Sequence, residues 1–305
     1  KSKQGLPADP LTADQVKTMA YIGLESEGLR QQVAEYYNCM ARLDTLVGEL
    51  LAKLKASGKY DDTLIVYMGD HGADLIRGKR TCYEGGVRVP LIIRLPKGKA
   101  GQERRELVSS LDLFPTFLEM SGAEPVPDLP GSSLLPLLRG EKPKWRQYMP
   151  TEFHLHSAHN YYPQRAIRND RYKLIENLQP GEVDPGYEFT VNRFFGQQVL
   201  AALPKAPKKV QVAYVLMKRP PKYQLYDLQM DPYEFVNLAK DPAHRSALDE
   251  LSTELTRWRR ATHDPLLNQV NVSRLKAEID AIRQGNDFNK AKIGQWKYPE
   301  YFFNK

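Results

Sequence analysis

Asp62-Thr63-Leu64-Ile65-Val66-Tyr67-Met68-Gly69-Asp70-His71-Gly72 is the stretch that decides the fold class. Residues 63–68 form a continuous apolar run rich in β-branched side chains. That is the pattern of a strand buried on both faces, as in a parallel sheet. The run stops at Gly69-Asp70-His71-Gly72, where two glycines permit a sharp turn. Upstream, Val33, Tyr37, Met40, Val47, Leu50 and Leu54 put one apolar face on a helix from Glu27 to Lys55, ended by Gly58. Downstream, Val89 to Arg94 reads as a second strand, closed by Pro96-Lys97-Gly98. A helix then opens at Ser109-Ser110-Leu111-Asp112 and runs through Met120. Its expected N-cap is Asp112, with Pro115 in the first turn and Gly122 past the end. Helix, strand, loop, strand, helix predicts an α/β fold.

From about Lys142 the pattern changes. Ala166–Arg168, Tyr172–Ile175 and Gln224–Asp227 are short strand-like pieces, and Asn169-Asp170 marks a turn between the first two. They predict a small antiparallel sheet. A helix from Pro242 or Ala243 to about Thr262 carries Leu248, Leu251, Leu255 and Trp258 on one face. A shorter helix is expected after Asn271, followed by an aromatic tail from Trp296 to Phe303. The expected division is therefore residues 1–141, part of an α/β domain, and 142–305, a smaller α+β subdomain with its tail.

With 305 residues, 41% of them hydrophobic, the chain is large enough for one or two domains with a core. No apolar run reaches the ~20 residues of a membrane span. The opening Lys1–Pro7 lacks the apolar core of a signal peptide and reads as a loop. A net charge of +7 favours polyanions such as nucleic acid, sulfated glycan or anionic lipid. The charges read as scattered. The densest stretch, Lys205 to Lys222, is broken by prolines and has no nucleic-acid motif around it. Two cysteines make no disulfide framework. Cys39 falls within a helical apolar pattern and is expected to be buried. Cys82 lies in the most motif-rich stretch, where it could line a site.

Asp70 offers a hard anionic oxygen and His71 an imidazole nitrogen, at the carboxyl end of a strand where open α/β sheets bind ligands. Together they could hold a divalent cation. A turn-capping Asp beside an exposed His fits the tetrapeptide too. The loop Arg77-Gly78-Lys79-Arg80-Thr81-Cys82-Tyr83-Glu84-Gly85-Gly86 joins the two strands and crosses the same end. Lys79 and Arg80 would bring positive charge there, as a site for a transferring sulfuryl or phosphoryl group requires. A solvated loop lysine is the plainer reading of Lys79. Glu84-Gly85-Gly86 reads as structural, with tight backbone and a carboxylate that bonds the loop.

Asp62 through Gly72, followed by Gly78-Lys79-Arg80-Thr81-Cys82-Tyr83-Glu84-Gly85-Gly86-Val87-Arg88-Val89-Pro90, resembles the second half of a sulfatase of the alkaline-phosphatase superfamily. The resemblance implies a mixed sheet flanked by helices, followed by a small antiparallel sheet with a packed helix. It implies that Asp70 binds a divalent metal, usually calcium. His71 stands at the second ligand position, and Lys79, four residues before Tyr83, contacts sulfate. Glu152-Phe153-His154-Leu155-His156, Tyr162-Pro163-Gln164-Arg165, Arg171 to Leu178, and Leu225 to Glu234 with Asn237-Leu238 are similar to the sulfamidase branch, the N-sulfoglucosamine sulfohydrolases. So is Trp258 leading to Thr262-His263-Asp264-Pro265. Two departures stand out. His71 occupies a position that carries Asn in animal sulfamidases, and imidazole suits manganese or zinc better than calcium. The formylglycine motif of the family, Cys/Ser-x-Pro-x-Arg, is matched by neither cysteine and no serine. The resemblance places it in an N-terminal half, with further metal ligands and a catalytic His.

His154, His156 and His159 cluster before Tyr161-Tyr162, with no zinc-like spacing. As substrate contacts, His156 could donate to a sulfate or carboxylate, and Arg165 could grip an oxygen pair. A polar surface loop is the alternative. His263, just past a helix end, reads as structural. The implied reaction is removal of sulfate from a sugar, with the N-sulfate of glucosamine in a heparan-like glycan as first choice. O-sulfatase, phosphate or phosphonate monoester hydrolase, and a degenerate glycan-binding homologue are the alternatives. The expected partners are a sulfated sugar or glycan and the N-terminal half of the same polypeptide. A homodimer is left open, and no nucleic acid or membrane span is expected. A periplasmic, secreted or lysosomal location goes with the resemblance, and the chain by itself is expected to be inactive.

Overall fold

A computed structural model describes residues 5–156, 160–192, 196–284 and 300. The expected aromatic tail lies almost wholly outside them. In chain order come α1 (Glu27–Ala56), β1 (Ile65–Met68), α2 (Glu84–Val87), β2 (Leu91–Arg94), α3 (Leu113–Ser121), α4 (Leu135–Leu138), β3 (Met149–Phe153), β4 (Gln164–Arg168) and β5 (Tyr172–Asn177). Then follow α5 (Pro185–Val191), α6 (Gly196–Ala202), α7 (Lys208–Lys218), β6 (Tyr223–Asp227), α8 (Arg245–Ala261) and α9 (Gln269–Gln284). They form two compact units that interleave along the chain. One holds residues 1–10, 36–70 and 89–149, and the other holds 11–35, 71–88 and 150–305. No helix among the described residues is long and apolar enough to cross a membrane.

In the first unit β1 and β2 pair antiparallel, Ile65 opposite Arg94 and Met68 opposite Leu91. This corrects the expected parallel arrangement. Neither strand is buried on both faces: Tyr67 and Met68 are 36% exposed and Ile92 is 64% exposed. An apolar run reports affinity for a sheet interior and says nothing about the direction of its neighbour. The α1 helix forms as its spacing predicts, yet much of the expected apolar face lies open. Tyr37 and Met40 are exposed, and Leu50 is 65% exposed. Cys39 is exposed as well, against expectation. At the start of α3 the cap is one step more elaborate than expected. Ser109 caps a short 3-10 turn by accepting from the Leu111 amide, and the Asp112 carboxylate accepts from the Ser109 amide in return. Fully buried, Asp112 also accepts from the Ser132 amide and binds the Arg146 guanidinium. Gly122 terminates α3 in the left-handed conformation at φ 69°.

The second unit is built on a four-stranded sheet in the order β3-β4-β5-β6. The β4–β5 hairpin turns at Asn169, whose side-chain oxygen accepts from the amides of Arg171 and Tyr172 at 2.9 and 2.7 Å. β6 pairs antiparallel with β5, Leu174 opposite Leu225. Ala166, Ile175 and Tyr226 of this sheet share a core with Leu29 and Val33 of α1, Tyr214 and Met217 of α7, and Leu75, Ile76, Cys82 and Tyr83. α8 packs on β4 and β5. A second cluster, with Val272, Leu275 and Ile279, seats α9 against Tyr161, Leu178 and Leu266.

Helices α5 to α7 fill the connection between β5 and β6. α5 begins at Asp184, whose carboxylate accepts from the Gly186 amide at 2.7 Å. Burial drives the pKa of Asp184 up to about 7, against two backbone hydrogen bonds that pull it down. The folded state thus holds this proton more tightly than the unfolded chain. The group's contribution to stability is complete below its ordinary pKa near 3.8 and is lost as pH rises through about 7. Asp184→Asn keeps the cap and removes the charge. Its urea midpoint should match the parent at pH 4 and exceed it at pH 8. A variant equally destabilised at both values would contradict this account.

Candidate functional site

The boundary between the two units falls after Asp70, which ends a segment of the first, and before His71, which begins a segment of the second. Both residues are exposed. The loop from His71 to Arg88 belongs wholly to the second unit. Its backbone is pinned at close quarters. The Gly72 amide donates to the Gly86 carbonyl at 2.9 Å, and a Cβ on Gly72 would lie 1.8 Å from the Gly85 oxygen. Only glycine fits there. Lys79 is held through its own amide, which donates to the Ala73 carbonyl at 2.8 Å.

Arg77 is the staple of this loop. At 1% exposure it donates to the carbonyls of Tyr21, Tyr233 and Glu234 at 2.8–2.9 Å. Its guanidinium lies 4.4 Å from the centre of the Tyr83 ring and 4.9 Å from that of Phe235. Arg77 and Arg80 both take positive φ, 62° and 76°, a conformation that costs non-glycine residues energy. Arg80 pairs with Asp74 and stacks on Phe189 of α5, 5.5 Å from its ring centre. The His71 Nδ1 sits 2.8 Å from the Gly72 carbonyl oxygen. A carbonyl only accepts, so Nδ1 carries a proton, and in the neutral ring the lone pair is on Nε2.

His156 is exposed at the end of β3, and its amide donates to the Asn160 side chain at 2.9 Å. Its pKa is lowered first by partial burial and then by the positive charges of Lys79 and Arg80, with His71 pushing the same way and Asp74 opposing. The structure therefore brings His71, Lys79, Arg80 and His156 into one electrostatic neighbourhood. His159 lies outside the described residues.

Arg165 is placed otherwise than expected. It has no exposed surface and binds Asp264 through Nε and Nη2 at 2.9 and 2.8 Å, with Glu152 at 3.3 Å. Arg259 binds the same Asp264 and also Glu176, each at 2.7 Å. This network ties β3, β4 and β5 to the end of α8, so the fork that was expected to grip substrate grips the fold. Cys82 is likewise corrected. It is fully buried, and burial raises its thiol pKa to about 12, so it lines no surface. His263 has φ 53° and its amide donates to the Arg260 carbonyl, an ordinary helix ending.

The largest group missed from the sequence lies beneath the loop. Lys173, 1% exposed, sits between Glu84 at 3.0 Å and Glu234 at 3.1 Å. Arg168 reaches Glu84 at 2.7 Å, and Glu234 accepts from the Glu84 amide at 2.6 Å. Burial opposes the charge on Glu84, but Lys173 and Arg168 outweigh it and hold the carboxyl below its ordinary pKa. Burial also opposes the Lys173 charge, and Glu234 and Glu84 more than restore it. Their spacing in sequence, 84, 173 and 234, gives no local signal of the contact.

Among the described residues no group of three or more His, Cys, Asp or Glu side chains is arranged to hold a metal ion. Among the described residues Asp70 and His71 therefore have no third such side chain beside them, and a cation held there would need further ligands.

Comparison with known proteins accounts for this arrangement. The family described as "Sulfatase" matches residues 6–123, and the one described as "N-sulphoglucosamine sulphohydrolase, C-terminal" matches residues 69–188. The pinned loop lies within both. The chain belongs to the sulfatase family. This sulfatase chain is similar to an ulvan-active sulfatase of Formosa agariphila, 32% identical over 79% of this chain and 40% of the relative. It is similar also to the human N-sulphoglucosamine sulphohydrolase, 31% identical over 77% of this chain and 49% of the relative. Among solved structures it resembles a phosphonate monoester hydrolase from Silicibacter pomeroyi, with a TM-score of 0.56 and 27% identity over 77% of this chain and 42% of that one. The sulfatase chain thus spans half or less of the length of these relatives. The mixed α/β architecture expected from its motifs is that of sulfatase and alkaline-phosphatase-like folds.

Proposed function

We propose that the full-length protein removes sulfate from a sugar, with the N-sulfate of glucosamine in a heparan-like glycan as its preferred substrate. The observation that carries this reading is one pinned loop bearing His71, Lys79 and Arg80, whose charges act on His156. Two fixed cations and two imidazoles suit an anionic group whose oxygens gain charge as a bond breaks. Lys79 donates to those oxygens and takes up the developing charge. His156, whose partial burial and then whose cationic neighbours favour the neutral ring, hydrogen-bonds the sugar side of the substrate. Arg80 orients through Asp74, and Arg165 keeps β3 and β4 in place behind His156. Asp70 and His71 contribute two ligands to a divalent cation, calcium by family resemblance and manganese or zinc by the imidazole of His71. Held there, such a cation would serve to polarise sulfate oxygens, and the attacking hydroxyl would come from a formylglycine of the N-terminal half. That half is also the proposed partner of the first unit, where Tyr67, Met68 and Ile92 stand uncovered. A location outside the cytoplasm goes with such a substrate.

The resemblance to a phosphonate monoester hydrolase, together with His71, favours a second reading on the same residues. The full-length protein should be assayed on N-sulfoglucosamine, on a glucosamine O-sulfate and on an aryl phosphonate monoester. N-sulfoglucosamine is expected to have the highest kcat/KM, by about tenfold or more. Highest turnover on the phosphonate would replace the first reading with the second, and on the O-sulfate would move the reading to O-sulfatase.

A further inference from the structure

The basic residues are scattered, but the chain's net excess of them falls in one stretch. Its 44 basic residues exceed its 37 acidic ones by seven, and the stretch from Phe189 to Tyr226 holds seven basic residues and no acidic one. The rest of the chain is neutral. Within the described part of that stretch, Lys205, Lys208, Lys209, Lys218, Arg219 and Lys222 are all exposed. None of them is in an ion pair among the described residues, whereas Arg168, Arg171 and Arg259 of the same unit are paired.

Folding does not explain this surplus. α7 buries Val210, Ala213, Tyr214 and Met217, and Tyr214 fixes the helix to the Ile22 carbonyl at 2.8 Å. The lysines are absent from that face. Lys208 and Lys209 occupy the first turn of α7, where the helix dipole opposes a cation and where no acidic residue compensates. Lys208, Val212, Val215 and Arg219 follow one another at helical spacing along the exposed side. They make a strip about 16 Å long with cations at both ends. The strip is linked to the candidate site within the same unit, because α5 contacts both α6 and α7 and carries Phe189, on which Arg80 rests.

We infer that the surface formed by Lys205, α7 and Lys222 is a docking strip for a sulfated polysaccharide chain, separate from the reacting sulfate group. The choice of glycan rests on the reading of the protein as a sugar sulfatase, and the charge argument stands apart from it. A polyanionic chain with one residue at the pinned loop would continue over a strip of unpaired cations. Each lysine contact releases counterions, so binding weakens steeply as salt rises.

The test is binding of the protein to immobilised heparin as a function of salt. The Lys205→Gln, Lys208→Gln, Lys209→Gln, Lys218→Gln variant is compared with a control carrying Lys53→Gln, Lys97→Gln, Lys99→Gln and Lys240→Gln, four exposed lysines elsewhere. Circular dichroism checks that both fold. The strip variant should bind about tenfold or more weakly at about 0.1 M salt, with a log–log salt slope shallower by two to four, and the control should bind like the parent. Equal loss in both variants would reduce the effect to net charge and overturn the inference, as would no loss in the strip variant. Tighter binding by the parent to phosphatidylserine vesicles or to a DNA duplex than to heparin would overturn it too. In the full-length protein, turnover of a small chromogenic monosulfate should be the same for strip variant and parent. Absence of that turnover in the parent would count against the sulfatase reading and leave the heparin result to stand by itself.

Discussion

Lys79→Ala in the full-length protein is expected to lower kcat by about 10²–10³-fold, the usual cost of removing one charge-stabilising donor from an active site. The loop should survive the change. Its shape is set by the Lys79 amide on the Ala73 carbonyl, by Arg77 on three carbonyls, and by the glycine contacts at residues 72, 85 and 86. None of these uses the Lys79 ammonium. The melting midpoint should therefore stay with the parent while kcat falls, and Lys79→Arg should recover part of the rate. Parent-level kcat on a saturating sulfate ester would remove Lys79 from the mechanism. A fall in kcat matched by a fall in the melting midpoint would make its role structural.

Lys173→Met should be the most destabilising single change in the second unit, at about 3–5 kcal/mol, the cost of leaving a buried charge without its partner. Methionine fills much of the same space, so the loss is electrostatic. Glu84 and Glu234 would then face each other across the site of the missing ammonium, with Arg168 reaching only Glu84. Adding Glu234→Gln to Lys173→Met should restore much of the stability, because a neutral amide tolerates the dry site. Urea unfolding of the three variants measures this. A loss under about 1 kcal/mol for Lys173→Met would mean that water reaches the cluster and that the pair is ordinary surface electrostatics.

Local signals in the sequence carried much of the architecture. The 3.6-residue spacing of apolar positions gave α1 and α8, and Asn169-Asp170 gave the β4–β5 hairpin. What failed was whatever depends on distant neighbours. The apolar run at 63–68 looked doubly buried, but β2 returns beside it antiparallel and both strands keep open faces. α5 to α7 went unread because α5 and α6 are single short stretches with few periodic positions, and Pro207 interrupts the approach to α7. Lys79 and His156 were singled out through motif resemblance, and their shared neighbourhood came only from the fold. Arg165 was misplaced for an understandable reason. A guanidinium suits an external oxyanion and a buried carboxylate equally well, and only Asp264, 99 residues away, shows which of the two it meets.

The two cysteines give the molecule an internal recorder. Cys39 stands in solvent on α1, in the first unit, while Cys82 is the buried side chain of the second unit's own loop. A thiol-alkylating reagent marks Cys39 in the folded protein at once and must wait for the loop to lift before it can mark Cys82. The delay between first and second label, read by mass, counts how often the segment bearing Lys79 leaves its seat. Ligands that settle on that segment would lengthen the delay, so occupancy becomes visible without any turnover at all.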